Sequence, residues 1–125
     1  MRKSQQPDKI TSVNLAQKIS ELSLTKKAED VVILDLRKLT SMTDYFVICS
    51  GDTDKQVKAI ADAVIDDLEN ENIKPWHKEG YESLRWVLLD FVEVVAHIFV
   101  NDTRAYYNLE QLWGDAPVKK ITDQV

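Results

Sequence analysis

The chain has 125 residues, 44% of them hydrophobic, which is enough for one domain with a proper core. Its single cysteine excludes an internal disulfide and indicates a reducing compartment, so we expect a cytoplasmic protein. No apolar run approaches the ~20 residues that a membrane-spanning helix needs.

The net charge of −5 is concentrated in residues 79–115. That segment holds seven acidic residues against Arg85 and Arg104, whereas the two signs balance in the rest of the chain. The acidic residues are Glu79, Glu82, Asp90, Glu93, Asp102, Glu110 and Asp115. Such a segment disfavours direct contact with a nucleic-acid backbone and favours a basic protein partner, although simple solubility would account for the same charge.

The first half of the chain predicts two helices and two strands. Residues 1–11 are polar and predict a disordered tail, not a secretory signal. Ser12 is the expected cap of a first helix. The aliphatic run 31–36 predicts a strand buried on both faces, and 45–49 predicts the next strand. Thr53, followed three residues later by a glutamine, forms a capping box that predicts the start of a second helix.

A short edge strand is predicted between Pro75 and Gly80, followed by a β-hairpin. If Val92 and Glu93 form its turn, the two faces of the hairpin differ. One face pairs Phe91 with Val94, Leu89 with Ala96 and Val87 with Ile98. The other face pairs Asp90 with Val95, Leu88 with His97 and Trp86 with Phe99. The first, wholly apolar face belongs in a core, and the mixed second face is typical of a docking surface.

Asp102 or Thr103 is the expected cap of a last helix, and residues 116–125 are predicted to be a loose tail. Its core side is predicted to carry Tyr106, Leu109 and Trp113. The element order α-β-β-α-β-β-β-α predicts an α/β fold, a single domain over 12–115 with a mixed β-sheet flanked by helices.

The side chains that could support catalysis or bind a metal are few. Cys49, His77 and His97 lack zinc-ligand spacing, and a cysteine in an apolar strand is more often packed than nucleophilic. The segment 50–53 could hold a phosphate at a helix N-terminus, but its aspartate and the one that follows would repel it. We therefore predict no catalytic activity, no cofactor and no metal.

Several short sequence motifs follow one another in order over about residues 12–115. They are Thr43-Asp-Tyr-Phe-Val-Ile-Cys-Ser-Gly51, Gln56-Val57, Glu79-Gly80, Trp86-Val-Leu-Leu-Asp90, Val95-x-His97-Ile-Phe99, Arg104-x-Tyr-Tyr107 and Leu109-Glu-x-Leu-Trp113. Together they resemble the ribosomal silencing factor family, also called Iojap-like or RsfS-like proteins. One departure is the hairpin turn, where the family usually has Gly-Asp and this chain has Val92-Glu93.

The resemblance implies a nucleotidyltransferase-like sheet with helices packed on it. It also implies binding to the large ribosomal subunit through the fourteenth large-subunit ribosomal protein. A folded body held there would sterically block joining of the small subunit. Translation would then be repressed when nutrients are limiting, or premature joining would be prevented during large-subunit assembly.

The candidate partner-binding residues combine the resemblance with the mixed face of the hairpin. They are Trp86, Leu88, Asp90, His97 and Phe99, with Trp76 and Glu79 at the rim. The motifs shared with the family support Trp86, Asp90 and Glu79. The other residues are supported by their place on or beside the mixed face of the hairpin. Two alternatives remain open: a nucleotidyltransferase-like enzyme, which would need clustered carboxylates, and a self-associating module that forms a homodimer through the Trp86 face.

Overall fold

In the computed structural model, which describes residues 9–122, six strands form one mixed sheet with helices on both faces. The strands are β1 (Glu29–Asp35), β2 (Tyr45–Gly51), β3 (His77–Glu79), β4 (Trp86–Asp90), β5 (Val94–Val100) and β6 (Val118–Ile121). The helices are α1 (Ser12–Thr25), α2 (Asp54–Glu69), α3 (Asn101–Tyr107) and α4 (Leu109–Leu112). The strand order is β3-β4-β5-β2-β1-β6, with β2 and β5 parallel and the other neighbours antiparallel. The predicted α/β class is confirmed, whereas the nucleotidyltransferase-like label stays a prediction.

Helices α1 and α2 cover one face of the sheet and form the main core with it. The inner positions of α2 are fully buried, as their helical spacing predicts. They are Val57, Ile60, Ala61, Val64 and Leu68. The cap of α2 is Thr53, whose side chain accepts from the backbone N–H of Gln56 at 3.2 Å. The cap of α1 is Thr11 and not Ser12, because the Thr11 side chain accepts from the N–H of Asn14.

The hairpin of β4 and β5 has the predicted register, with Trp86 opposite Phe99 and Asp90 opposite Val95. Its turn is tight, since the N–H of Phe91 donates to the Val94 carbonyl at 2.8 Å. Val92 takes a φ of +76°, a conformation that β-branched residues rarely adopt. The Asp90 carboxylate helps to hold it there by accepting from the Val92 N–H at 2.7 Å.

The C-terminal part of the chain differs from the prediction. The expected last helix is two short helices, because Asn108 at the break has a left-handed φ of +47°. Helix α3 begins at Asn101 without a side-chain cap, so neither Asp102 nor Thr103 caps it. Residues 116–125 were predicted to be loose, yet they contain β6, which pairs with β1. At the other end, residues 1–8 of the predicted tail lie outside the described residues.

Half of the second sheet face is covered by α3, α4 and the segment after them. Leu109 and Ala116 pack there on the buried side chains of the sheet, with Trp113 partly buried beside them. The buried side chains are Val32, Leu34, Leu36, Ile48 and Phe99. In the half formed by β3, β4 and the start of β5, the side chains of His77, Glu79, Leu88 and Asp90 stay at least partly exposed, and α3 meets this half at its border, where Tyr107 lies against Trp86. None of the helices within residues 9–122 is long and apolar enough to cross a membrane.

Candidate functional site

The uncovered half of the second sheet face, called the open face below, is the candidate binding surface. Strand register places its side chains in adjacent rows across β3, β4 and β5. They are His77, Glu79, Trp86, Leu88, Asp90 and Val95, with Phe46 of β2 at the border, where its ring packs against Trp113. Each is at least partly exposed, and together they combine aromatic and aliphatic surface with two carboxylates. Such a mixture suits contact with another protein.

The structure corrects the expected accessibility of two predicted contact residues. Phe99 is 0% exposed and His97 is 4% exposed, so neither side chain offers a surface to a partner. Phe99 lies beneath the stacked ring of Trp86, with the ring centroids 4.9 Å apart. Strand alternation correctly predicted which face of the sheet carries His97 and Phe99. It could not predict that α3 and α4 cover part of this face, because that depends on contacts between distant parts of the chain.

Trp86 lies at the border between the open and the covered halves of this sheet face. Its ring is half-buried between Phe99 and Tyr107, whose centroid is 4.8 Å away. Its indole Nε1–H donates to Nδ1 of His97 at 3.1 Å. One part of the Trp86 side chain is therefore packed like a core residue, and the other part remains accessible to a partner.

His97 is held among three aromatic rings. The Phe46 ring approaches it edge-on at a centroid distance of 4.4 Å, and Trp86 and Phe99 lie beside it. Burial disfavours the charged imidazolium and lowers the pKa of His97 to about 3. The imidazole is therefore neutral at physiological pH, with Nδ1 free to accept from Trp86.

Trp76 and Glu79 are both exposed at the sheet edge, Trp76 by 76%. The Glu79 carboxylate accepts from Nε2 of the neighbouring His77 at 2.6 Å. Leu88 and Asp90 are half-buried on β4 between this edge and β5. One carboxylate oxygen of Asp90 is already bound to the Val92 N–H, so Asp90 holds the turn and also contributes negative charge to the surface.

Sequence reasoning did not single out three residues that the fold brings to this area. Phe46 lies beside the open face because β2 and β5 pair in parallel, a long-range pairing that periodicity does not reveal. His77 lies opposite Asp90 on the edge strand. Tyr107, whose ring packs on Trp86, is 51% exposed, and its neighbour Tyr106, which was expected on the core side of the last helix, is 82% exposed. The family motif Arg104-x-Tyr-Tyr107, which contains both tyrosines, was the one feature of the sequence that pointed to this area.

The other candidate chemical sites have structural explanations. Cys49 is buried in the core, and burial raises the pKa of its thiol to about 12. Asp54 lies in the first turn of α2, and Asp52 accepts from the Asn101 side chain at 2.9 Å. Within residues 9–122 no three His, Cys, Asp or Glu side chains are grouped as they would be around a metal ion.

Comparisons with known proteins give a consistent result. A family described as "Ribosomal silencing factor during starvation" matches residues 9–125. The ribosomal silencing factor RsfS of Bacillus subtilis (strain 168) is 48% identical over 96 residues, covering 77% of this chain and 81% of that protein. A crystal structure of a Chromobacterium violaceum protein superposes with a TM-score of 0.82 at 33% identity, covering 93% of this chain and 94% of that one. A mouse protein named "Mitochondrial assembly of ribosomal large subunit protein 1" is 30% identical over 91 residues, covering 70% of this chain and 40% of that protein.

Proposed function

The chain belongs to the ribosomal silencing factor family, and from this premise we propose that it binds the large ribosomal subunit in the cytoplasm and represses translation without catalysing a reaction. The name of the mouse relative, which refers to assembly of the large subunit, supports the same partner. The two roles are compatible, because a protein on an immature subunit would also keep it from premature use.

We propose that the fourteenth large-subunit ribosomal protein is the direct contact. That partner is an expectation from the family resemblance. The proposed mechanism is steric: a folded domain held on the face where the small subunit docks prevents the subunits from joining. Such a mechanism needs occupancy of a surface and no chemical step, and it would operate during nutrient limitation.

The open face is the observation that carries this proposal. It exposes aromatic and aliphatic side chains beside Glu79 and Asp90, within a segment that holds the net negative charge of the chain. Interface energy concentrates in large anchors that become desolvated, and Trp86 is such a candidate. Trp76 and Glu79 remain proposed rim contacts. Phe99 and His97 would act from beneath, by supporting Trp86.

The test compares Trp86→Ala and Leu88→Ala with the matched variant Leu112→Ala. Leu112 is 73% exposed on α4, outside the open face, so its truncation removes similar apolar surface elsewhere. We expect Trp86→Ala to weaken co-sedimentation with large subunits about thirtyfold and Leu88→Ala about tenfold, from ~2 and ~1.4 kcal/mol. Leu112→Ala should bind as the unmodified protein does.

The same variants should lose inhibition of subunit joining in a light-scattering assay in proportion to their lost binding. Circular dichroism melts establish that each variant is folded. Unchanged binding by folded Trp86→Ala and Leu88→Ala would show that the docking surface lies elsewhere. Unimpaired subunit joining with the protein bound to the large subunit would refute the steric mechanism.

A further inference from the structure

We propose that His97 is a positioning residue that fixes the Trp86 indole in one orientation at the border of the open face. The inference deepens the proposed function and rests on it in one respect, that Trp86 is a contact for the ribosome. The orientation itself is a property of the isolated protein and can be measured without any partner.

The hydrogen bond supplies a restraint that ring packing does not. The Phe99 ring stacks on Trp86 at a centroid distance of 4.9 Å and the tilted Tyr107 ring packs on it at 4.8 Å, so these contacts limit the tilt of the indole. Stacked rings can still slide and rotate within their planes. The bond from Nε1–H of Trp86 to Nδ1 of His97, 3.1 Å long, restricts that rotation because it fixes one corner of the indole.

His97 can serve as a fixed point because it is itself immobilised. It is 4% exposed and packed against the Phe46 ring, and it lies on β5 in the interior of the sheet, opposite Leu88. A backbone position flanked by paired strands on both sides leaves the imidazole little freedom. The indole is therefore tied to a strand that is paired on both sides in the interior of the sheet.

This arrangement would contribute to affinity by reducing the cost of binding. A side chain that is immobilised only in the complex loses conformational entropy at that moment, whereas a pre-ordered one has already lost it. Trp86 would then present the same accessible edge to every partner molecule. His97 would influence binding strongly although it never touches the partner.

The test begins with the isolated protein labelled with ¹⁵N in its three tryptophans. Their indole signals are assigned with single Trp→Phe variants. In the unmodified protein we expect the Trp86 indole proton to exchange with solvent at least about tenfold more slowly than that of exposed Trp76, because it is hydrogen-bonded and half-buried. Equal exchange rates would overturn the inference without the need for any His97 variant.

Two substitutions of His97 follow. His97→Phe keeps the ring volume and removes the acceptor, and His97→Asn places an amide oxygen near the position of Nδ1. We expect His97→Phe to shift the Trp86 indole signal and accelerate its exchange, with the Trp76 signal unchanged, and His97→Asn to restore slow exchange. An unmoved Trp86 signal in folded His97→Phe would refute the positioning role.

Binding to large subunits is measured with the same proteins. We expect about tenfold weaker binding by His97→Phe and a loss of less than about threefold for His97→Asn. If the unmodified protein does not bind, the proposed function fails, while the indole measurements still decide whether His97 positions Trp86. If the unmodified protein and folded His97→Phe bind equally, the proposed function stands and this inference fails.

Discussion

At the scale of single residues, the hairpin turn contains one strained residue, Val92, at a position where glycine would fit without strain. Val92 has a φ of +76° and an exposed side chain, so it bears the steric cost of that conformation without a large packing gain. The cost of holding a non-glycine residue there is ~1–3 kcal/mol. The bond from the Val92 N–H to the Asp90 carboxylate and the strands on either side keep the turn in place.

We therefore expect Val92→Gly to raise the free energy of unfolding by about 1 kcal/mol, the relieved strain exceeding the greater entropy of glycine in the unfolded chain. Urea denaturation measures the change. Val13→Gly is the control, because Val13 is similarly exposed but lies in α1, where glycine relieves no strain and should lower stability by less than ~1 kcal/mol. A loss of stability in both variants would mean that the turn conformation is not strained.

The buried imidazole of His97 makes stability depend on pH. Its pKa is lowered by burial from 6.5 to about 3, so between these values the unfolded chain binds a proton at this position and the folded chain does not. The free energy of unfolding is then highest above 6.5 and falls as the pH decreases, by up to ~1.4 kcal/mol per pH unit. Urea denaturation between about pH 7 and about pH 5 should show a shallower decline for His97→Phe than for the unmodified protein. Equal slopes would mean that His97 accepts a proton in the folded state.

At the scale of elements, the sequence was most informative where a strong period was present. The alternation in residues 86–99 predicted the hairpin register, and the spacing of Val57, Val64 and Leu68 predicted the buried side of α2. Signals that depend on a single residue were weaker. The helix break at Asn108 is caused by that single residue in a left-handed conformation. The residues on either side have helical spacing, so the sequence pattern predicts one continuous helix.

The strand β6 shows why pattern reading stopped short of the complete fold. Its sequence, Val118–Ile121, contains two lysines and is mostly exposed, so it has no apolar alternation to recognise. It forms because it pairs with β1, which is far away in the sequence. The same limitation applies to the candidate site. The alternation in the hairpin predicted which sheet face carries the candidate binding surface, but which part of that face is left uncovered depends on where α3 and α4 pack.

Arg104 links α3 and α4 to the sheet. This side chain, only 12% exposed, donates to the Glu110 carboxylate at 2.6 and 3.1 Å and to the Ser50 hydroxyl at 3.1 Å. It therefore ties the two short helices to each other and to β2. A charge-assisted pair with limited solvent access leaves a costly unpaired group when one partner is removed.

We expect Arg104→Met, which retains part of the apolar stem, to lower the free energy of unfolding by about 2 kcal/mol. Amide hydrogen exchange should increase in residues 101–116 more than in α2. Glu110→Gln keeps an acceptor for the guanidinium and should have a smaller effect on both measurements. Equal protection of residues 101–116 in Arg104→Met and in the unmodified protein would show that apolar packing alone holds these helices.

At the scale of the whole molecule, the arginines of residues 79–115 offset the negative charge of that segment in one region only. The two arginines of the segment lie beside Asp102, at 3.9 Å, and Glu110, at 2.6 Å, which are both in the α3–α4 region. Glu79, Asp90 and Glu93 lie instead on the open face and at the hairpin turn. The open-face end of the molecule therefore keeps three carboxylates that neither arginine of the segment offsets, and these would steer a basic partner toward it.

The rate of association with large subunits should accordingly fall as ionic strength rises, because salt screens long-range attraction. We expect Glu93→Lys to reduce this rate by roughly threefold at low salt and to flatten its salt dependence. Asp67→Lys makes the same change in net charge on α2, which covers the opposite sheet face, and should have a smaller effect. Surface plasmon resonance with immobilised subunits measures both rates. Equal effects of the two substitutions would mean that total charge governs association, and a rate that is independent of salt would refute electrostatic steering.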